Sequence, residues 1–165
     1  MKKIYIIWAL VGCLYGEDLL SGYYKTHISR KGRQSIIEIF QYEGKFYGYG
    51  FANVDNSPRA KDIHNKNPLL RQRWDNEIIF LYGLQGDGEV YKNGLVYNVD
   101  NGETYNAKIT IKGNELHLRA SIDNLGVIGQ TRVWQKLSQE EVAPYLIYKL
   151  PKEVILKSLK DWDSL

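Results

Sequence analysis

Residues 100–120 read DNGETYNAKITIKGNELHLRA, and this stretch decides the fold class. Tyr105, Ala107, Ile109 and Ile111 alternate with Asn106, Lys108, Thr110 and Lys112. A period of two sends successive side chains to opposite faces of a strand, so one face is apolar and the other wet. Leu116, Leu118 and Ala120 repeat the pattern against His117 and Arg119 after the turn residues Gly113-Asn114. Asp100-Asn101-Gly102 precedes the first of these strands, and an Asn-Gly pair predicts a hairpin of type I′. The segment therefore reads as two hairpins in series, with every connection too short for a crossover helix.

The same grammar extends in both directions. Strands are expected at 21–28, 34–42, 45–52, 77–82, 89–99, 103–112, 115–123 and 129–137, separated by glycine-rich or polar turns. Glu43-Gly44 is a tight turn, and Asn93-Gly94 interrupts the fifth strand. About eight strands in hairpin order predict an all-β, up-and-down antiparallel barrel, because an even number lets the first and last strands pair and removes the edges. A barrel of this size holds packed side chains or one small ligand. Strands two and four carry apolar residues on both faces, at Ile36, Ile37, Ile39, Phe40 and at Ile78, Ile79, Phe80, Leu81, so something must cover their outer side. The tail offers that cover. Ser138-Gln139-Glu140-Glu141 has the form of a capping box, Pro144 shortens the helix that follows, and Pro151 opens a second helix.

Residues 1–16, MKKIYIIWALVGCLYG, have a basic start, an apolar run and small residues near the end, the pattern of an export signal. The run is too short to span a bilayer. Leu10-Val11-Gly12-Cys13 also fits a lipobox, which would place a lipid anchor at Cys13; cleavage after Gly16 is the alternative. Three parts are thus expected: a signal over 1–16, a barrel domain over 17–137 and a helical extension over 138–165. Without Lys2 and Lys3 the chain keeps 20 basic residues against 19 acidic ones, and no basic stripe suggests nucleic acid. One cysteine excludes a disulfide framework. His27, His64 and His117 lack metal-ligand spacing, and no nucleophile elbow or phosphate-binding glycine loop is present, so no catalytic residue, metal or cofactor is assigned.

Two features point to binding. The chain carries 13 tyrosines and 4 tryptophans, side chains suited to a pocket wall. A long polar stretch from Asn53 to Arg73 is rich in basic residues and could form a lid or an anion-binding rim. Tyr49, Phe51 and Trp74 flank that stretch, while Tyr97 and Tyr105 bracket the 100–102 turn. These five are the expected ligand-lining aromatics, with Arg71 or Arg73 placed to meet a polar head.

Further pieces in order along the chain point to a family. They are Gly22-Tyr23-Tyr24, Gly44-Lys45-Phe46-Tyr47-Gly48, Asp62, Asn67-Pro68, Leu69 to Arg73, Gly94-Leu95-Val96-Tyr97, Asp100-Asn101-Gly102, Thr104-Tyr105, Leu116 to Arg119, and Gly129-Gln130-Thr131-Arg132-Val133-Trp134. In this order and spacing the chain resembles the secreted bacterial domain of unknown function numbered 2147. Tyr24 stands where that family has tryptophan, and Gln130 where a basic residue is usual. The resemblance implies a calycin, or lipocalin-like, barrel, in which Tyr24 and Arg132 would form a structural pair at the barrel base. The leading functional expectation is a secreted or periplasmic protein that binds a small apolar or amphiphilic ligand. An envelope enzyme acting on glycan or lipid through a carboxylate such as Asp62, and an interaction module with a filled barrel, are the rivals.

Overall fold

The computed structural model describes residues 18–164; the expected signal over 1–16, with Cys13, lies outside these residues. Eight antiparallel strands follow in chain order: β1 Gly22–Lys25, β2 Ser35–Tyr42, β3 Lys45–Asn53, β4 Ile79–Asp87, β5 Val90–Asn98, β6 Glu103–Lys112, β7 Glu115–Ser121 and β8 Gly129–Leu137. Each pairs with its neighbour, and β1 pairs with β8 through Tyr23–Leu137, Tyr24–Lys136 and Lys25–Gln135, which closes the barrel. The up-and-down order sends the connections at 26–34, 54–78, 99–102 and 122–128 to one end, the loop end. The short turns, the chain entry at residues 18–21 and the exit from β8 lie at the other, the base.

The inner face is the expected one. Ala107, Ile109 and Ile111 of β6 and Leu116 and Leu118 of β7 belong to a single buried cluster with Ile37, Ile39, Phe46, Leu81, Leu84, Tyr91, Val96 and Trp134. The Phe46 ring meets Tyr91 edge-on at 5.0 Å, and Phe80 meets Trp134 at 6.1 Å. Side chains therefore occupy the interior from the base past its middle.

Turn chemistry differs in one place from expectation. Glu43 and Gly44 both take positive φ, 48° and 75°, as a type I′ turn requires, and the two-residue loop joins Tyr42 to Lys45. At residues 99–102 only Gly102 does so, at 72°, and the loop has four residues because β5 ends at Asn98. The Asn98 and Asn101 side chains accept hydrogen bonds from the Asp100 and Glu103 amides, so asparagine here stabilises a wider turn. The interruption at Asn93 is a bulge with φ of 59°.

The tail covers the outer faces of β2, β3 and β4. Ser138 caps α1, Gln139–Val142, reciprocally with Glu141. Pro144 limits α1 to one turn, and the chain continues as a 3-10 helix over Ala143–Tyr148. Helix α2, Lys152–Leu156, begins after Pro151. Val142 and Ile155 join Ile36, Phe40, Tyr47, Tyr49, Phe51, Ala52 and Ile79 in a second buried cluster outside the barrel. Further along, Trp162 stacks on Tyr82 at 4.5 Å and donates to the Ile79 carbonyl at 2.9 Å, while the Ser158 hydroxyl accepts from the Ile79 amide at 3.0 Å. Both backbone groups of Ile79 are thus satisfied by the tail, beside a bulge in the β3–β4 ladder.

Because Ile109 faces the interior and Thr110 the outside, Ile109→Ala is expected to cost ~2–5 kcal/mol and Thr110→Ala well under 1 kcal/mol. Urea unfolding of the two variants checks this; equal losses would contradict the facing of β6.

Candidate functional site at the loop end of the barrel

The two ends of the barrel are built differently. At the base, Leu19 and Leu20 enter the interior cluster. The Tyr24 hydroxyl donates to the Leu20 carbonyl at 2.7 Å, the Leu19 amide donates to the Tyr91 hydroxyl at 3.2 Å, and the Lys136 ammonium donates to the Leu19 carbonyl at 2.8 Å. Burial raises the Tyr24 and Tyr91 phenol pKa values above their ordinary level, so both hydroxyls stay neutral. The cation over the Tyr24 ring is Lys136, at 5.8 Å. Arg132 lies two inward positions further along β8, so the expected Tyr24–Arg132 base pair is replaced by Tyr24–Lys136. The reason is register: Tyr24 sits opposite Lys136 when β1 joins β8.

At the loop end the inner face turns polar. By alternation from Trp134, Arg132 and Gln130 face inward, opposite Leu118 and Ala120 of β7. The Arg132 guanidinium donates to the Gln130 side-chain carbonyl at 2.6 Å, and no carboxylate lies within ion-pair distance of it among the described residues. His27 sits beside this pair. The Trp134 indole N–H points at its Nδ1 at 3.4 Å. Burial first, and the Arg132 charge second, lower the His27 pKa below its ordinary value. Tyr105 packs against the interior cluster, and its hydroxyl accepts a hydrogen bond from Asn101. Around this opening Ile28, Ile122, Val127 and Ile128 are exposed, at 63–73% of their surface. Such a concentration on two neighbouring loops is unusual for a wet surface.

The remaining expected ligand residues do not converge here. Tyr49 and Phe51 lie on the outer face of β3, since Phe46, Gly48 and Gly50 take the inward positions, and both are covered by the tail. The Tyr49 hydroxyl donates to Glu38, which also pairs with Lys149 of the tail. Tyr97 likewise faces out, in a cluster with Ile78 and Trp162. Trp74 is 43% exposed in the long loop, beneath the Lys61 ammonium at 3.6 Å. Arg71 donates to the Asn65 carbonyl at 2.8 Å, and Arg73 bridges Asp62 at 3.0 Å and Asp161 at 3.3 Å. Of the seven, Tyr105 alone shares the loop-end interior. Sequence reading missed His27, Gln130 and the role of Arg132; the inward parity of Trp134 on β8 was the available signal.

The long loop is held by one buried carboxylate. Asp62 is fully buried and accepts from the Tyr97 hydroxyl at 2.7 Å, Asn65 at 2.8 Å and Arg73 at 3.0 Å. Tyr97 itself is desolvated, and both burial and Asp62 raise its pKa. Asp62 therefore anchors the loop to the outer wall of β5 and presents no solvent-facing oxygen, as a general acid or base would need to. Among the described residues no group of three or more His, Cys, Asp or Glu side chains is arranged to hold a metal, and no helix is long and apolar enough to cross a membrane.

With this geometry in view, the chain matches over residues 22–136 the family described as an uncharacterized protein conserved in bacteria, DUF2147. The chain belongs to that family. Among solved structures, the chain is similar to protein HP1028 from the human pathogen Helicobacter pylori, described as belonging to the lipocalin family. It is 36% identical, with a TM-score of 0.80, and the match covers 85% of this chain and 97% of that one. No curated protein matches. The lipocalin-like barrel is thereby supported by sequence and by fold alike.

Two outcomes follow from the site. Tyr97→Phe should cost about 1–3 kcal/mol by leaving Asp62 one partner short, and should speed amide exchange across residues 60–75. His27 supplies a pH dependence. Its folded pKa lies below the unfolded value of about 6.5, so the unfolded state binds more protons near pH 6. Stability is full above about pH 6.5 and falls as pH drops below it, and His27→Gln should flatten that slope in thermal melts between pH 5 and 7.

Proposed function

We propose that the chain binds a small amphiphilic ligand at the loop end of the barrel, outside the cytoplasm. The single observation that carries this reading is the contrast between the two ends. The base is sealed by Leu19 and Leu20, while the loop end combines an inward arginine with no acidic partner among the described residues and a rim of exposed aliphatic side chains. A cation set among apolar groups suits an acidic or strongly polar head carried on an apolar body. Arg132 and Gln130 would hold the head; Tyr105, Ile122, Val127 and Ile128 would meet the body. The lipocalin-like fold supports small-ligand binding, and residues 1–16 support export. Interior packing between Phe80 and Trp134 favours a ligand held at the mouth over one buried deep in the barrel.

The test is titration with a fluorescent fatty acid, read through tryptophan quenching. Arg132→Glu should weaken binding at least tenfold, the scale of a lost hydrogen bond to a charged group. Trp74→Ala should leave affinity unchanged, because Trp74 lies on the outer loop. Absence of probe binding at pH 7 would transfer the rim to a different role, as a contact surface of an interaction module.

A further inference from the structure

A second site lies on the outer wall, away from the mouth. Lys108, Thr110 and Lys112 of β6, His117 and Arg119 of β7, and Thr131 of β8 form its floor, with Leu125 and Gly126 of the 122–128 loop above them. The cleft has a volume of about 290 Å³. Its roof is held by specific bonds. Arg119 donates from Nε to the Gly126 carbonyl at 2.9 Å and from Nη2 to the Val127 carbonyl at 2.8 Å. From below the loop tip, the Asp123 carboxylate accepts from the Val127 and Ile128 amides. The loop therefore keeps its shape over the strands.

The charge of this cleft is one-sided. Lys108 and Lys112 are exposed, and neither has a carboxylate within ion-pair distance among the described residues. Glu115, opposite Lys112 across the β6–β7 ladder, borders the cleft and offsets part of that charge, and it is also engaged by His117 at 2.9 Å and Gln135 at 3.1 Å. Asp123 is committed to the loop amides. Two lysines, an arginine and two threonine hydroxyls thus share one concavity without a free acid. The same loop that roofs it presents Leu125, Val127 and Ile122 to solvent, with Leu125 90% exposed. Cations beside exposed aliphatic residues on one rigid loop match the two layers of a bilayer surface, charged headgroups and the acyl boundary below them.

We propose that this cleft takes the phosphate headgroup of an anionic lipid at a bilayer surface, with Leu125 and Val127 entering the interface. The site shares the aliphatic residues Ile122 and Val127 of the 122–128 loop with the mouth, but its cations are outward residues of β6 and β7, distinct from the inward Arg132.

Sedimentation of the full-length chain with phosphatidylcholine vesicles, with and without phosphatidylglycerol, tests it. Any contribution of residues 1–16 is common to all variants. Binding should depend on phosphatidylglycerol and fall in high salt. Lys108→Glu with Lys112→Glu should lower it about 20-fold or more, and Leu125→Ser should lower it as well. Lys108→Gln with Lys112→Gln, which keeps length without reversing charge, should give a smaller loss. All these positions are exposed, and circular dichroism checks that the variants fold. Equal binding to both vesicle types overturns the proposal, as does a phosphatidylglycerol preference untouched by the lysine changes. Inorganic phosphate that shifts the amide resonances of Thr110 and Arg119, in a protein that ignores vesicles, would assign the cleft to a soluble phosphate compound and overturn the lipid assignment.

Discussion

Closure of β1 onto β8 leaves every strand residue with one of two addresses, inside or outside the barrel. Three residue pairs make that closure, and the register they set carries through the ring. It puts Tyr24 opposite Lys136, and by alternation places Trp134 and Arg132 in the interior. Tyr47, Tyr49 and Phe51 of β3 face outward, while Phe46 faces in. An eight-stranded ring has room for little more than its own side chains, so large residues beyond that capacity must go to the outer wall. The aromatic content that suggests a pocket is largely explained by this second layer. Phe40, Tyr47, Tyr49 and Phe51 build a core between barrel and tail.

Much of the fold was legible because period-two patterning and turn residues act locally. Residues 105–120 show which face is buried without reference to any neighbour. The need for cover over β2 and β4 was legible for the same reason, since Ile36-Ile37 and Ile78-Ile79 leave no polar face. The site was less legible. Tyr49 and Phe51 border the long loop in sequence, but whether they point in or out depends on parity, and Gly48 and Gly50 hold the inward positions beside them. The bulges between β3 and β4 add further shifts that no single strand reveals. Arg71 and Arg73 looked available because their partners, Asn65, Asp62 and Asp161, are set by loop folding and by the distant tail. A long-range ion pair leaves no mark on local sequence.

Charge is distributed by the same logic. Basic residues of the long loop are spent on structure: Arg59 pairs with Asp75, Arg73 with Asp62, and Lys66 with Glu103. Among the described residues, Arg132 inside the loop end and Lys108 and Lys112 on the outer wall have no such ion pair.

The clamp on Ile79 has a consequence for how this protein ages in solution. Its amide and carbonyl are both closed by residues more than 75 positions away, Ser158 and Trp162. If proteolysis removed the tail, the barrel would keep its closed ring of strands but would present Phe40, Tyr47, Tyr49 and Phe51 as one bare aromatic wall, with open backbone groups at its border. Such a fragment would be foldable yet adhesive, and copies would pair wall to wall. Residues 138–164 thus keep an aromatic wall of the barrel covered.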